Sequence, residues 1–427
     1  MSVRTDSFCR VTEARRPASS ARDWLLLALG FLVVHLVLSA LCYAVAPNQP
    51  AGDVTGVYRY WVDYWHATGS LVGIDTDWVY PIAALPPMLL AGLLGGRHYL
   101  LIWLVMVAVL DGVALVLVAR RGRGLAWWWL LCTVLIGPVA VSRIDGIALP
   151  FAVVGVLLLA DRPAVAAALL TLAAWIKVWP AAIVAAVLLT GRRIASTVSA
   201  AALTSAAIIG LALLAGARGT VFSFVTAQAS RGIQVEATVA LPWLWSAALG
   251  DPGVGVYYDT SILTFQLRGA GVNAVAAAMT PVLAIGVLVI TLLTLLARLR
   301  RAAPAEVLAI ASLGYVSAVI ALNKVGSPQY LTWYVAPVIL GLVVSPKRFR
   351  VPAALVLVAA GLTQAIYPWC YGGVTTPTPW VIAVLTLRNG IELALLAWCL
   401  IELRIVPPER RLRSAATMSV GAVREHA

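Results

Sequence analysis

The sequence predicts an all-α integral membrane protein, a polytopic bundle of helices. Three observations predict it. First, 62% of its 427 residues are hydrophobic and only 11% are charged, with a mean hydropathy of +0.93. Soluble domains carry about a quarter charged residues. Second, apolar stretches recur at 24–46, 98–119, 194–216, 275–297 and 381–403, each close to the ~20 residues that a helix needs to cross a bilayer. Third, short basic clusters separate these stretches, the pattern of cytoplasmic loops. Lipid leaves backbone polar groups no outside partner, so such segments must be helices. The alternating segments of a β-barrel are not seen.

Taken in order, the chain opens with Arg4, Arg10, Arg15, Arg16 and Arg22 ahead of the first apolar run. That run is too long for a signal-peptide core and lacks a small-residue cleavage site, so it reads as a retained span. The other basic clusters are Arg120-Arg121-Gly122-Arg123, Asp161-Arg162, Arg192-Arg193, Arg298 to Arg301, Lys347 to Arg350 and Arg404 to Arg413. Placed together on the cytoplasmic side, they thread the chain. Span 24–46 leads out and 98–119 returns. The segment 80–95 is short and carries Pro81, Pro86 and Pro87, which suits a re-entrant or interfacial element. Stretch 125–141 leads out and 147–160 returns. As one helix, 163–189 would put Arg192-Arg193 outside; as a hairpin broken near Lys177 and Pro180 it keeps them inside, and the positive-inside rule favours the hairpin. The remainder alternates, giving about twelve spans.

The expected organisation is a basic tail (1–23), a membrane domain (24–403) and a second basic tail (404–427), both tails cytoplasmic and disordered by composition. Two large outer loops fall at 47–81 and 217–273, with outer turns at 142–146, 323–330 and 368–379.

A formal charge of +13 invites a nucleic-acid partner, but basic residues confined to loops between spans argue against one. Cys9, Cys42, Cys132, Cys370 and Cys399 are scattered, without a CxxC pair, and read as small buried hydrophobes. His35, His66, His98 and His426 lack metal-ligand spacing. No phosphate-binding loop, dinucleotide fingerprint or zincin motif is present, so neither a nucleotide nor a metal is called for.

The uncommon polar residues collect on the outer side of this threading: Asp53, Asp63, Asp75 and Asp77; Arg143 and Asp145; Arg231, Gln234 and Glu236; Asn323, Lys324 and Gln329. Any one of them reads most simply as a solvated or paired charge. A convergent set at a membrane edge reads as a functional site. In the helix-compatible segment from Gly52 to Trp65, Val54, Val57, Tyr58 and Trp61 share one face. This is either an interfacial aromatic anchor or a helix that starts with Asp53 as general base toward a hydroxyl. Asp145 is the alternative base. Lys177, flanked by Trp175 and Trp179, either snorkels to the interface or holds a phosphate as a point charge. Arg143, Arg231 and Lys324 are further phosphate candidates.

Several segments together resemble the GT-C glycosyltransferases that use polyprenol-phosphate sugars, most closely glycosyltransferase family 87 (the domain of unknown function 2029 group), which includes actinobacterial α-mannosyltransferases. The resemblance rests on Asp53 followed by Tyr58, on Tyr80-Pro81 with Pro86-Pro87, and on Ile176-Lys177-Val178-Trp179-Pro180. It rests also on Arg231-Gly232-Ile233-Gln234-Val235-Glu236 and on Ser327-Pro328-Gln329-Tyr330-Leu331-Thr332-Trp333. It spans roughly 24–403. One departure is the separation of the diproline from Tyr80. The resemblance implies a polyprenyl phosphate sugar donor (mannose ahead of arabinose or glucose), a glycolipid or lipoglycan acceptor, and chemistry on the outer face of the plasma membrane with Asp53 as base. Attack opposite the departing phosphate would invert the anomeric centre, and cations near the phosphate make a metal unnecessary. Under this reading Lys177, Arg231, Lys324 and Arg143 bind the donor phosphate, while Tyr58, Asp145, Gln234, Glu236, Gln329 and Tyr330 line the substrate site. The rival from another class is a transporter or flippase for a lipid-linked or anionic substrate, which would also place charges in a membrane cavity. Transporters usually show repeated halves, and no internal repeat is detected. A scaffold without chemistry leaves the polar clustering unexplained.

Overall fold

A computed structural model describes residues 20–44, 48–191, 193–227 and 231–408. Most of the predicted tails, 1–19 and 409–427, lies outside the described residues. The rest is overwhelmingly helical. The first half contains α1 (Ala21–Tyr43), α2 (Arg59–Thr68), α3 (Leu85–Gly92), α4 (Tyr99–Arg121), α5 (Arg123–Ile136), α6 (Asp145–Leu158), α7 (Pro163–Ile176) and α8 (Ala181–Thr190). The second half contains α9 (Ile194–Leu214), α10 (Ser223–Thr226), α11 (Leu241–Ala248), α12 (Val272–Leu299), α13 (Pro304–Ala321), α14 (Val335–Val344), α15 (Pro346–Gln364), α16 (Gly372–Thr375) and α17 (Pro379–Ile405). Among the described residues eight helical runs are long and apolar enough to cross a bilayer: α1, α4, α5 with its continuation to Ala140, α9, α12, α13, α15 with its continuation to Cys370, and α17. Shorter apolar helices, α3, α6, α7, α8 and the run from Pro328 to Val344, fill the space among them. This is the architecture of an all-α membrane protein.

Helix ends fall where the chain signals them. Gly69 takes a left-handed conformation (φ 75°) as the cap of α2, a geometry glycine adopts without a Cβ penalty. The stretch 163–189 is broken: α7 stops at Ile176, Lys177 is extended, and α8 restarts after Pro180. Proline lacks the N–H that a continuous helix would need there. Leu189, near the far end of α8, offers its carbonyl to Arg298 at the end of α12. The helices therefore turn back at Lys177, as the hairpin reading expected.

Two ends of the bundle are chemically distinct. At the basic end, Asp23 pairs with Arg123, and Arg121 with Asp161 at 2.6 Å. Arg348 bridges Glu306 and Glu402 at 3.4 and 3.1 Å, and Arg300 donates to the Leu403 carbonyl at 2.7 Å. The opposite end collects the loops. Ser142 Oγ donates to Pro50 O at 2.8 Å, and Asn48 Nδ2 to Pro368 O at 2.6 Å. Ser223 Oγ accepts from the Trp78 N–H at 2.8 Å, and the Gln234 N–H donates to Lys324 O at 2.9 Å. The described parts of the loop and turn segments, 48–81, 142–146, 217–227, 231–273, 323–330 and 368–379, thus meet in one layer.

The core centres on α13, whose length is almost wholly buried and which packs against α8, α12, α14 and α17. Its small residues, Ala309, Ala311, Gly314 and Ala318 among them, permit close helix approach. By contrast α9 and α12 expose leucines along most of their lengths, Leu203, Leu211, Leu214, Leu288 and Leu292 among them, a surface suited to lipid tails rather than water.

One element departs from the all-helical expectation. Inside the second large loop, β1 (Gly255–Asp259) pairs antiparallel with β2 (Thr264–Arg268), with Tyr258 opposite Phe265 and Val256 opposite Leu267. Residues 233–235 extend this pairing: the Leu267 N–H donates to Ile233 O at 3.0 Å and the Val235 N–H to Phe265 O at 3.2 Å. The run Val256-Tyr257-Tyr258 and the run Thr264-Phe265-Gln266-Leu267 have β-branched and aromatic residues, which favour strands.

Candidate functional site

The site is built from loop ends held by buried anchors. Asp53 begins a π-helical turn, Asp53–Tyr58, that runs into α2. The wide turn is anchored by its apolar face: Val54 and Tyr58 are fully buried. The Tyr58 ring packs 5.2 Å from Trp103 and 6.1 Å from Tyr80, and its hydroxyl accepts the Ile144 N–H at 3.2 Å. Sequence reasoning put Tyr58 among the substrate ligands. The structure corrects this: Tyr58 is the floor beneath Asp53, with its hydroxyl already engaged.

Asp53 faces Arg143. Its Oδ2 lies 3.1 Å from Arg143 Nε, and the Asp53 side chain keeps 34% of its exposure while Arg143 keeps 8%. Arg143 is fixed from other directions. Its Nη1 donates to Pro50 O at 2.7 Å and Ser142 O at 3.0 Å, and Nη2 to the Tyr367 hydroxyl at 3.3 Å. The contact to Asp53 is an ion pair but not an aligned hydrogen bond, so Nε lacks a hydrogen-bond partner. Arg143 was expected to hold phosphate. Its donors are largely committed to protein carbonyls, which makes it the group that positions Asp53. No hydrogen bond among the described residues claims Asp53 Oδ1.

A second cluster lies across Tyr58 and Tyr80. Lys177 Nζ sits 4.5 Å over the Tyr80 ring, a cation–π contact. Its electrostatic neighbours are Asp145, Tyr80, Tyr330 and Arg231. Neither Lys177 nor Arg231 has a carboxylate within salt-bridge distance among the described residues, and Arg231 Nε is buried without a hydrogen-bond partner. Two cations thus converge on one another beside a tyrosine hydroxyl. With Asp145 as the one carboxylate among these neighbours, the half-buried cluster keeps an excess of positive charge that a bound anion would offset.

Asp145 starts α6 and is 1% exposed. Its Oδ1 accepts the Trp333 indole N–H at 2.6 Å, and its Oδ2 is buried without a partner. Trp333 stacks on Tyr330 at 3.9 Å and on Trp179 at 6.1 Å. The Ser-Pro-Gln-Tyr run is a 3₁₀ segment, Pro328–Tyr334. It carries Tyr330 toward Lys177, while Gln329 Oε1 accepts from Ser327 Oγ at 2.6 Å.

The Arg-Gly-x-Gln-x-Glu segment divides. Arg231 faces Lys177. Gln234 is buried and bridged to Gln266 of the hairpin. Glu236 is sealed inside: its Oε2 accepts from Arg388 Nη1 at 2.8 Å, both side chains 2% exposed, and its carbonyl accepts from Arg388 Nη2 at 2.8 Å. Asn389 Oδ1 accepts from Arg388 Nε at 2.8 Å, and Glu392 lies 3.8 Å away. Glu236, expected to touch substrate, instead locks the second loop onto α17, while Gln234, also expected to touch substrate, is buried and its backbone joins the hairpin to the turn at Lys324. Gly326 completes the lock, because a Cβ there would overlap the Ala237 amide nitrogen. Lys324 is 7% exposed in the turn beside Gln234, and burial lowers its ammonium pKa.

Sequence reasoning missed Arg388 and Tyr367. An arginine, asparagine and glutamate within the apolar run 381–403 were the available signal for Arg388. Tyr367 offered none, since its role depends on a loop folding back onto Arg143. Also unforeseen is the pair His35–Asp111, at 3.2 Å, between the middles of α1 and α4. Groups of three or more metal-capable side chains are not found among the described residues. No family model, curated protein or solved structure matches the chain.

Proposed function

We propose that the protein is a membrane glycosyltransferase of GT-C type. It moves a hexose, mannose first, from a polyprenyl phosphate sugar to a glycolipid or lipoglycan acceptor. The observation that carries this reading is the convergence of Lys177 and Arg231, two cations without a carboxylate within salt-bridge distance among the described residues, in a cluster joined to the Asp53 turn through the Tyr80–Tyr58 ring contact. In the proposed mechanism the phosphate of the donor sits between Lys177 and Arg231. The acceptor hydroxyl gives its proton to Asp53 Oδ1 as its oxygen bonds to the anomeric carbon. The bond from that carbon to the phosphate oxygen breaks, the electron pair leaves with polyprenyl phosphate, and the anomeric centre inverts. The cations offset the charge that develops on the leaving oxygen. The reading takes the helices as about twelve crossings, with the loop layer on the outer face of the plasma membrane, opposite the basic end.

The test is transfer of label from radiolabelled polyprenyl phosphate mannose into extractable lipid and polysaccharide, in membranes carrying the protein or Lys177→Gln with Arg231→Gln. Transfer by the wild type, with a donor KM raised about a hundredfold in the double variant, supports it; each lost charged contact is worth roughly 1.5–3 kcal/mol. No transfer with mannose or other polyprenyl phosphate sugars would sink it.

One observation favours the transporter reading. His35 Nδ1 lies 3.0 Å from the Phe31 carbonyl, which only accepts, so Nδ1 carries a proton. The bond between Nε2 and Asp111 Oδ2 then holds one shared proton in mid-helix, a place where proton relays are built. Substrate accumulation driven by a proton gradient, lost in Asp111→Asn, would support that alternative.

A further inference from the structure

The β-hairpin carries aromatic residues on a face that leads to Asp53. In a strand, alternate residues share a face, so Val256 and Tyr258 of β1 stand with Phe265 and Leu267 of β2. Leu267 is buried at the root of this face and Phe265 is half-buried. Tyr258, at the outer rung, is 47% exposed. The rings continue inward. Tyr258 packs 5.0 Å from Phe265, Phe265 5.9 Å from Tyr371, and Tyr371 5.1 Å from Tyr367. The Tyr367 hydroxyl then accepts from Arg143, the partner of Asp53. Tyr258 itself lies within electrostatic reach of Asp53. An aromatic track thus runs from open surface to the carboxylate.

Such a track has two conceivable occupants, the lipid headgroup layer or a sugar chain in water. The hairpin end decides between them. It reads Asp259-Thr260-Ser261, with Asp259 Oδ1 accepting from the Ser261 N–H at 2.9 Å and from Ser261 Oγ at 2.6 Å. Ahead of the first strand, exposed Asp251 accepts from Ser246 Oγ at 2.7 Å and from the Gly253 N–H at 2.8 Å. A loop with two firmly ionised carboxylates belongs in water rather than against lipid. Sugar rings present apolar C–H faces that stack on aromatic rings and hydroxyls that suit tyrosine OH groups.

We propose that the Tyr258–Phe265–Tyr371 face binds the glycan of the acceptor and leads its terminal hydroxyl to Asp53. The proposal rests on the glycosyltransferase reading and adds where and by what chemistry the acceptor is held. Tyr257 points to the opposite face of β1 and takes no part.

The experiment is saturation-transfer NMR with mannotriose on the full chain in nanodiscs. Wild type, Tyr258→Phe and Tyr257→Ala are expected to transfer saturation to the trisaccharide, while Tyr258→Ala weakens binding about tenfold, the effect of one lost aromatic contact. The same four proteins are assayed for transfer from labelled polyprenyl phosphate mannose. Acceptor KM should rise about tenfold in Tyr258→Ala alone, with donor KM unchanged. Equal binding by Tyr258→Ala and wild type overturns the proposal. So does absence of mannotriose binding to wild type, with Tyr258 relaxed by a spin-labelled lipid, which would put the hairpin in the headgroup layer. Loss of binding in Tyr258→Ala, with no sugar transfer by any of the four, would keep the glycan surface and reject the glycosyltransferase reading.

Discussion

The loop layer contains two arginine–carboxylate pairs that differ in one respect. Glu236 and Arg388 are both 2% exposed, 2.8 Å apart, and bound further through the Glu236 carbonyl and Asn389. Asp53 and Arg143 meet at 3.1 Å, but Asp53 keeps 34% of its exposure and one oxygen free of hydrogen bonds from the described residues. The first pair cannot trade partners without leaving a buried charge alone, which costs several kcal/mol. The second can admit a hydroxyl at no such cost. Similar residues therefore serve opposite ends: one pair fastens the second large loop to α17, the other presents a carboxylate.

Breaking the sealed pair should have the largest effect on folding. Arg388→Ala leaves Glu236 and Glu392 buried without their cation and should cost roughly 3–5 kcal/mol, read as a loss of folded protein in detergent melting curves. Glu236→Gln keeps a hydrogen-bond acceptor for Arg388 and should cost about 1–3 kcal/mol in the same melts, with transfer falling only as the folded fraction falls. Asp145→Asn keeps an oxygen for the Trp333 indole but removes a carboxylate in electrostatic reach of Lys177. It should cost about 1 kcal/mol, read as a small downward shift of the melt. The smallest effect belongs to a pair with neither burial nor function. Arg59–Asp63 is an exposed i,i+4 contact at 3.2 Å, with side chains 43% and 54% exposed. Asp63→Asn should move stability by no more than about 0.5 kcal/mol, and an effect as large as that of Arg388→Ala would erase the distinction drawn here.

The helical part of the fold was legible because lipid imposes a simple rule on composition: apolar runs must be helices, and basic residues mark one side. The break at Lys177–Pro180 was legible for the same reason, since one helix would have misplaced Arg192-Arg193. The hairpin at Gly255–Arg268 was not, because outside the bilayer short strands leave a weak pattern, and Tyr257-Tyr258 reads equally well as an interfacial anchor. Among the residues singled out by sequence, Asp53 lies against Arg143, and Lys177 has Asp145, Arg231 and Tyr330 in electrostatic reach. The buried settings of Tyr58, Gln234 and Glu236 were not legible, because polar groups near a site look alike until their partners are known. Arg388 lies 152 residues from Glu236, and no local pattern announces such a pairing.

The most direct measurement sets Asp53→Asn beside Glu236→Gln and follows label from polyprenyl phosphate mannose into lipid, per mole of folded protein. Asp53→Asn, which leaves Arg143 without its carboxylate, should melt somewhat lower than the wild type and, per mole of folded protein, lose transfer by about 10²–10⁴-fold, the worth of a general base, while Glu236→Gln keeps near-normal transfer per folded molecule. Full transfer by Asp53→Asn, with transfer lost in well-folded Glu236→Gln, would contradict this expectation and move the chemistry to the sealed pair.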